Sequence, residues 1–242
     1  MDGHLCPTRE PKEGPEDHGY REAKAVVAFS GHDVAEVRKE RHEILHKILR
    51  AQITESETVR SIFAEGYRHA GGERAAEVIV LADGARWSWS MVEDLLPHAV
   101  QSLDFSHVKQ YLWDAGKLIY GAGSAFVAPW VKEPETRLLE DNVARVITHV
   151  ERFLDLAPAL APILHYFQQN AARMCYGTYR QRGYFIGSGA IESAGKQLSA
   201  ARIKGPGMRW NIAELNLLLT LRCVFLEQSW QTYWKSQALL AA

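Results

Sequence analysis

Three carboxylates in this chain have the surroundings that phosphodiester chemistry needs. Asp83 closes a short apolar run and is followed by Gly84, Glu192 follows the turn Gly187-Ser188-Gly189, and Asp2 precedes Gly3 ahead of strand-forming sequence. Cleaving a phosphodiester with metal assistance takes two divalent cations about 3.5–4 Å apart, one at the nucleophile and one at the leaving oxygen. Hard cations such as Mg²⁺, with Mn²⁺ as a substitute, prefer carboxylate oxygen and water to cysteine or histidine. Each acid also has a plainer local role. Asp83-Gly84 reads as a strand-to-helix turn with Asp83 as helix cap, and Asp104-Phe105-Ser106-His107 as a second cap with a partly buried histidine. Glu192 reads as a first-turn helix acid paired with Lys196 at i,i+4.

The Glu192 helix is the stretch around which the chain is organised. Ser188 or Gly189 is expected to cap it, and Ile191, Ala194 and Leu198 are expected to form its buried face. Residues 173–209 carry seven basic side chains (Arg173, Arg180, Arg182, Lys196, Arg202, Lys204, Arg209) against one acid, Glu192. Such a local excess suits a polyanionic partner, although a solvated basic face would read the same way. Trp87, Trp89 and Trp113 fit a core. Trp210, set among Arg202, Lys204 and Arg209, fits packing and nucleic-acid stacking equally.

The elements that must position these groups are legible from periodicity. Residues 1–20 read as a loop, 21–30 as a strand, 47–53 as a second strand and 57–70 as an amphipathic helix closed by Gly71-Gly72. Residues 77–82, 86–95, 99–103 and 105–120 then alternate strand, helix, strand, helix, which is a parallel α/β unit. Asp83 and Asp104 therefore fall at the carboxyl ends of neighbouring strands, where open α/β sheets build sites. Residues 135–154 and 159–176 are two helical patterns without a strand, after which the chain is expected to rejoin the sheet near Tyr184. Gly205-Pro206-Gly207 turns the chain, and a final apolar helix covers 211–227.

At 242 residues and 47% hydrophobic content, the chain can bury a sizeable core, and its net charge of −1 excludes a general polycation. Cys6, Cys175 and Cys223 show no metal or disulfide spacing, which fits a reducing, cytoplasmic setting. No apolar run approaches a membrane span and no signal peptide opens the chain. A nucleophile elbow and a phosphate-binding Gly-rich loop are both missing, which speaks against acyl-transfer hydrolysis and ATP use.

Four blocks occur in order: Leu81-Ala82-Asp83-Gly84-Ala85-Arg86-Trp87-Ser88-Trp89, Leu103-Asp104-Phe105-Ser106-His107, Ile186-Gly187-Ser188-Gly189-Ala190-Ile191-Glu192-Ser193, and Arg202-Ile203-Lys204-Gly205-Pro206-Gly207-Met208-Arg209-Trp210. Together they resemble the DDE transposases of bacterial insertion sequences, in the Kra-type group. The Asp-x-x-His element is similar to one found across the Mutator-like superfamily. The resemblance covers Asp2 to about Trp234. It implies an α/β, ribonuclease-H-like mixed sheet with a helical insertion, laid out here as 1–122, an all-helical 123–182, and 183–242. Asp2, Asp83 and Glu192 match the three acids that hold two Mg²⁺ ions, and Asp104 and His107 match the pair that orients them. Lys196, Arg202, Lys204, Arg209 and Trp210 are then the DNA-binding residues.

The implied activity is cleavage of DNA at transposon ends and attack of the freed 3′-OH on target DNA, by a protein that self-associates and needs neither membrane nor nucleotide cofactor. Two departures bear on it. The residues expected ahead of Asp2 are absent, so the chain reads as truncated at its N-terminus, and Gln110 and Tyr111 stand where Glu and His are expected. The alternative function is an inactive remnant that binds only DNA or a full-length transposase.

Overall fold

The structure is a computed structural model that describes residues 2–9, 19–38, 41–54, 56–200 and 202–240. The chain is a mixed α/β protein with small sheets. It forms two compact units, Met1–Ala76 with Gly189–Ala242, and Glu77–Ser188.

The first unit opens with β1 (Asp2–Pro7), antiparallel to β2 (Tyr20–Ala28), in register from Asp2↔Ala25 to Pro7↔Tyr20. The loop expected over residues 1–20 is thus a strand at its start, while residues 10–18 lie outside those described. Local sequence hides β1 because its apolar side chains, Leu5, Cys6 and Pro7, are adjacent and do not alternate with polar ones. The ladder and the full burial of Cys6 hold it, and Pro7 is tolerated because β1 is a sheet edge. A small hairpin, β3 (Val34–Arg38) with β4 (Arg41–Ile44), precedes β5 (Ile48–Ile53), which completes the sheet order β1-β2-β5. The expected strands at 21–30 and 47–53 are present, whereas the hairpin escapes prediction because its apolar residues, Val34, Ala35, Val37 and Ile44, are few and none of them is fully buried. Helix α1 (Ser56–His69) lays Val59, Ile62 and Phe63 into the core and ends at Gly71 in the left-handed conformation.

The second unit contains the expected parallel α/β segment. β6 (Ile79–Ala82) leads into α2 (Arg86–Leu95), then β7 (Val100–Leu103), which pairs in parallel from Ile79↔Val100 to Ala82↔Leu103, then α3 (Phe105–Tyr120). The following segment is helical as expected but more finely divided: α4 (Val127–Leu139), α5 (Val143–Glu151), α6 (Ala161–Asn170) and α7 (Tyr176–Gln181). One break is made by Asp141, at φ 58, whose carboxylate accepts the N–H groups of Gly177 (2.7 Å) and Thr178 (2.8 Å) and the Thr178 hydroxyl (2.6 Å). That carboxylate caps α7 from a distant loop.

The return to the sheet near Tyr184 takes another form. Among the described residues no strand follows β7; the bonds that hold the segment instead include Tyr184 N–H to Tyr179 O (2.8 Å) and Phe105 N–H to Ile186 O (2.8 Å). Only Tyr184, Phe185 and Ile186 separate Gly183, at φ +76°, from Gly187.

The chain then re-enters the first unit as α8 (Gly189–Gly195), which passes into a π-helical turn (Lys196–Ala200), followed by α9 (Ile212–Leu226) and α10 (Trp230–Leu240). Ile191, Ala194 and Leu198 are buried, as their spacing predicts, together with Cys6, Ala23, Ala25, Leu49, Ala51 and Ile53 of the sheet and Leu215, Leu219 and Cys223 of α9. Asn216 on α9 closes the β5 edge: its carboxamide accepts from Ile53 N–H (2.7 Å) and donates to Ile53 O (3.3 Å). Arg50 joins three elements, with Glu227 at 2.6 Å and Glu65 at 2.7 Å. Among the described residues no helix is long and apolar enough to cross a membrane.

Candidate active site

Asp83 sits one residue beyond the carboxyl end of β6, and its Oδ1 accepts the Ala85 N–H at 3.0 Å. The bond closes an Asx turn before α2 begins at Arg86. Gly84 is required there: its φ is +95°, and a Cβ would lie 2.7 Å from the Tyr166 hydroxyl and 2.8 Å from Leu103 Cδ1. Tyr166, on α6, donates its hydroxyl to the Asp83 carbonyl at 2.8 Å and stacks on Tyr111 with ring centroids 4.2 Å apart. The helical segment therefore braces the turn that presents Asp83. Tyr111 is part of that brace. Gln110, beside it in sequence, donates to Asp114 on its own helix.

Asp104 caps α3 and also holds the Gly187-Ser188-Gly189 turn. It is 1% exposed. Oδ1 accepts from the N–H groups of Ser106 (3.2 Å) and Ser188 (2.8 Å). Oδ2 accepts from the His107 N–H (3.3 Å), His107 Nδ1 (2.5 Å) and the Ser188 hydroxyl (2.9 Å). Burial alone would push this carboxyl up; the bonds from His107, Ser188 and Ser106 outweigh it and hold it below the usual 3.8. The grouping of Ser, His and Asp is not a hydrolytic triad, because the serine hydroxyl bonds the carboxylate rather than the imidazole. Ser188, buried and hydrogen-bonded through both backbone and side chain, is the partner that sequence reasoning missed. Its position between two glycines was the available signal, read there only as a helix cap.

Glu192 is half-buried on the first turn of α8, a helix packed against β1 and β2. Asp2 opens β1, but its side chain lies outside those described. The expected acids are thus divided between the units, Asp2 and Glu192 in the first and Asp83, Asp104 and His107 in the second. The cluster brought together is Asp104, His107 and Ser188. Among the described residues no group of three His, Cys, Asp or Glu side chains is placed to hold a metal ion.

The basic stretch also divides. Arg173 pairs with Glu93 at 3.0 Å and lies over the buried Trp89 ring at 4.7 Å, and Arg182 pairs with Glu77 at 2.5 Å. Both are structural. Lys196, Arg202, Lys204 and Arg209 are exposed, the last three on the loop between the π-turn and α9. Trp210 is half-buried against the core, its indole N–H donating to Ile203 O at 3.0 Å, so its packing role is the one its contacts show.

Comparison of the chain with protein-family models, with curated proteins and with solved structures finds no match.

Proposed function

We propose that the chain is the catalytic domain of a DDE-type transposase, with a ribonuclease-H-like arrangement of its elements. The element order supports this: a three-stranded antiparallel sheet with a small hairpin between its second and third strands, a helix, then two parallel strands alternating with helices, and an all-helical segment before the Glu192 helix. The observation that carries the reading is the Asp104 cluster. Two motif blocks 84 residues apart meet there, as blocks serving one site would.

Asp2, Asp83 and Glu192 supply only carboxylate oxygens, a donor set suited to Mg²⁺ or Mn²⁺. Two such ions, when bound, would activate the attacking oxygen and stabilise the leaving one. The protein's own contribution is placement. The Asx turn and the Tyr166 bond fix the Asp83 backbone, and Asp104 anchors Ser188 immediately ahead of the Glu192 helix. Lys196, Arg202, Lys204 and Arg209 hold the DNA backbone.

The test is titration calorimetry with Mn²⁺ on the full chain and on Asp83→Asn, followed by plasmid nicking with Glu192→Gln. The reading expects saturable binding near two ions that is lost in Asp83→Asn, and nicking that is lost in Glu192→Gln. Equal nicking by Glu192→Gln would remove the catalytic assignment. DNA binding with neither ions nor nicking would leave the binding-only remnant.

A further inference from the structure

The loop that follows the π-turn is built into a groove with the end of β1. Met208 N–H bonds the Gly205 carbonyl at 3.1 Å, and Gly207 has φ +74°, so Pro206-Gly207 occupies the middle of a turn that suits this pair. The loop is then sewn to the strand: Trp210 N–H donates to Pro7 O (3.3 Å) and Arg9 N–H to Trp210 O (2.9 Å). Arg209 is held from below, its guanidinium donating to Thr8 O at 3.4 Å over Gly19, where a Cβ would come within 2.6 Å of it. The result is a pocket of about 330 Å³, at the lower end of the range for small-ligand sites, about 300–1,000 Å³.

Its walls combine two chemistries. Tyr20 is 48% exposed and Met208 43% exposed, and both line the pocket with Pro7 and Pro206. Lys204 and Arg209 are the charged side chains among the described lining residues. An aromatic side chain beside two cations in one groove matches how unpaired bases are held. The ring stacks on the base and the cations take the flanking phosphates. A base inside a duplex offers only its edges, because its faces are occupied by its neighbours.

Resting on the DNA-binding reading above, we infer that this groove takes one unpaired nucleotide of a single-stranded segment, with Tyr20 as the stacking platform and Lys204 and Arg209 as the phosphate contacts. The surface residues Lys196 and Arg202 would then serve paired and unpaired DNA alike.

Fluorescence anisotropy with labelled (dT)₁₂ and a 12-base-pair duplex tests this in the wild type and in Tyr20→Ala, Tyr20→Phe and Met208→Ala. Tyr20→Ala is expected to weaken (dT)₁₂ binding about five- to a hundred-fold and leave duplex binding unchanged, while Tyr20→Phe retains wild-type affinity. Met208→Ala should weaken (dT)₁₂ binding by a smaller factor. Equal (dT)₁₂ affinity for wild type and Tyr20→Ala would overturn the groove assignment while leaving DNA binding intact. A wild type that binds neither ligand would overturn the DNA reading itself.

Discussion

Removing the Asp104 carboxylate should unfasten two segments at once. In Asp104→Ala the first turn of α3 loses its cap to Ser106 and His107, a loss of about 1 kcal/mol. The buried Ser188 N–H and hydroxyl lose their acceptor as well, and stranded buried donors cost about 1–3 kcal/mol each. Together these give a destabilisation of about 3–7 kcal/mol. Asp104→Asn should cost less, about 1–3 kcal/mol, because the serine hydroxyl and the imidazole can reverse donor and acceptor roles against an amide. The folded-state carboxyl is held below 3.8, so its stabilisation is present above that pH and is lost as pH falls through the lowered value. The gap between wild type and Asp104→Ala should therefore narrow below pH 3.8. Urea denaturation followed by tryptophan fluorescence reads this, because Trp87, Trp89, Trp113 and Trp130 all belong to the same unit as Asp104. An Asp104→Ala protein within about 0.5 kcal/mol of wild type at neutral pH would refute the reasoning.

Gly84→Ala should lose about 2–4 kcal/mol, from left-handed strain and the 2.7 Å approach to the Tyr166 hydroxyl. Tyr166→Phe, which gives up only the bond to Asp83 O, should lose about 1 kcal/mol; thermal melts rank the two, and the reverse order would sink the account of the turn. Arg50→Ala leaves Glu227, whose side chain is 9% exposed, without its cation and should cost about 2–4 kcal/mol by denaturant midpoint. His149 lies beside Trp130 at 4.9 Å, and its Nε2 has no partner among the described residues. Burial holds its pKa below 6.5, so the unfolded chain takes up a proton that the folded protein does not, and stability falls as pH drops below 6.5. His149→Phe should flatten that part of the pH–stability curve, and an unchanged slope would show that another group carries it.

How much of this fold a reader could take from the chain depends on how local the cause is. The β6-α2-β7-α3 segment was legible because an apolar run ending at Asp83-Gly84 and helical spacing after Asp104 are statements about neighbours. β1 was not, because its stability lies in a ladder to β2 and in the burial of one small thiol, Cys6. Nor was the division of the basic stretch, since Arg173 and Arg182 resemble Arg202 and Lys204 until Glu93 and Glu77 are seen beside them. A salt bridge between distant residues has no local signature, so charge counts along a sequence overstate the surface available to a polyanion.

Asp104 shows why the plain and the functional readings of one residue need not compete. This helix cap uses one lone pair on each carboxylate oxygen, and a carboxylate has about four to offer. Oδ1 divides its acceptance between Ser106 of its own helix and Ser188 of the distant turn, and Oδ2 does the same between His107 and Ser188. The local cap fixes where the carboxylate points, and that fixed direction is what lets it grip a segment 84 residues away. A cap replaced by serine would still start α3, but one hydroxyl oxygen could not hold the Gly187-Ser188-Gly189 turn as well. Asp104→Ser should therefore retain the helix and lose hydrogen-exchange protection at Ser188 before it loses protection at the first turn of α3. Equal loss at both would mean that the cap and the anchor are one interaction.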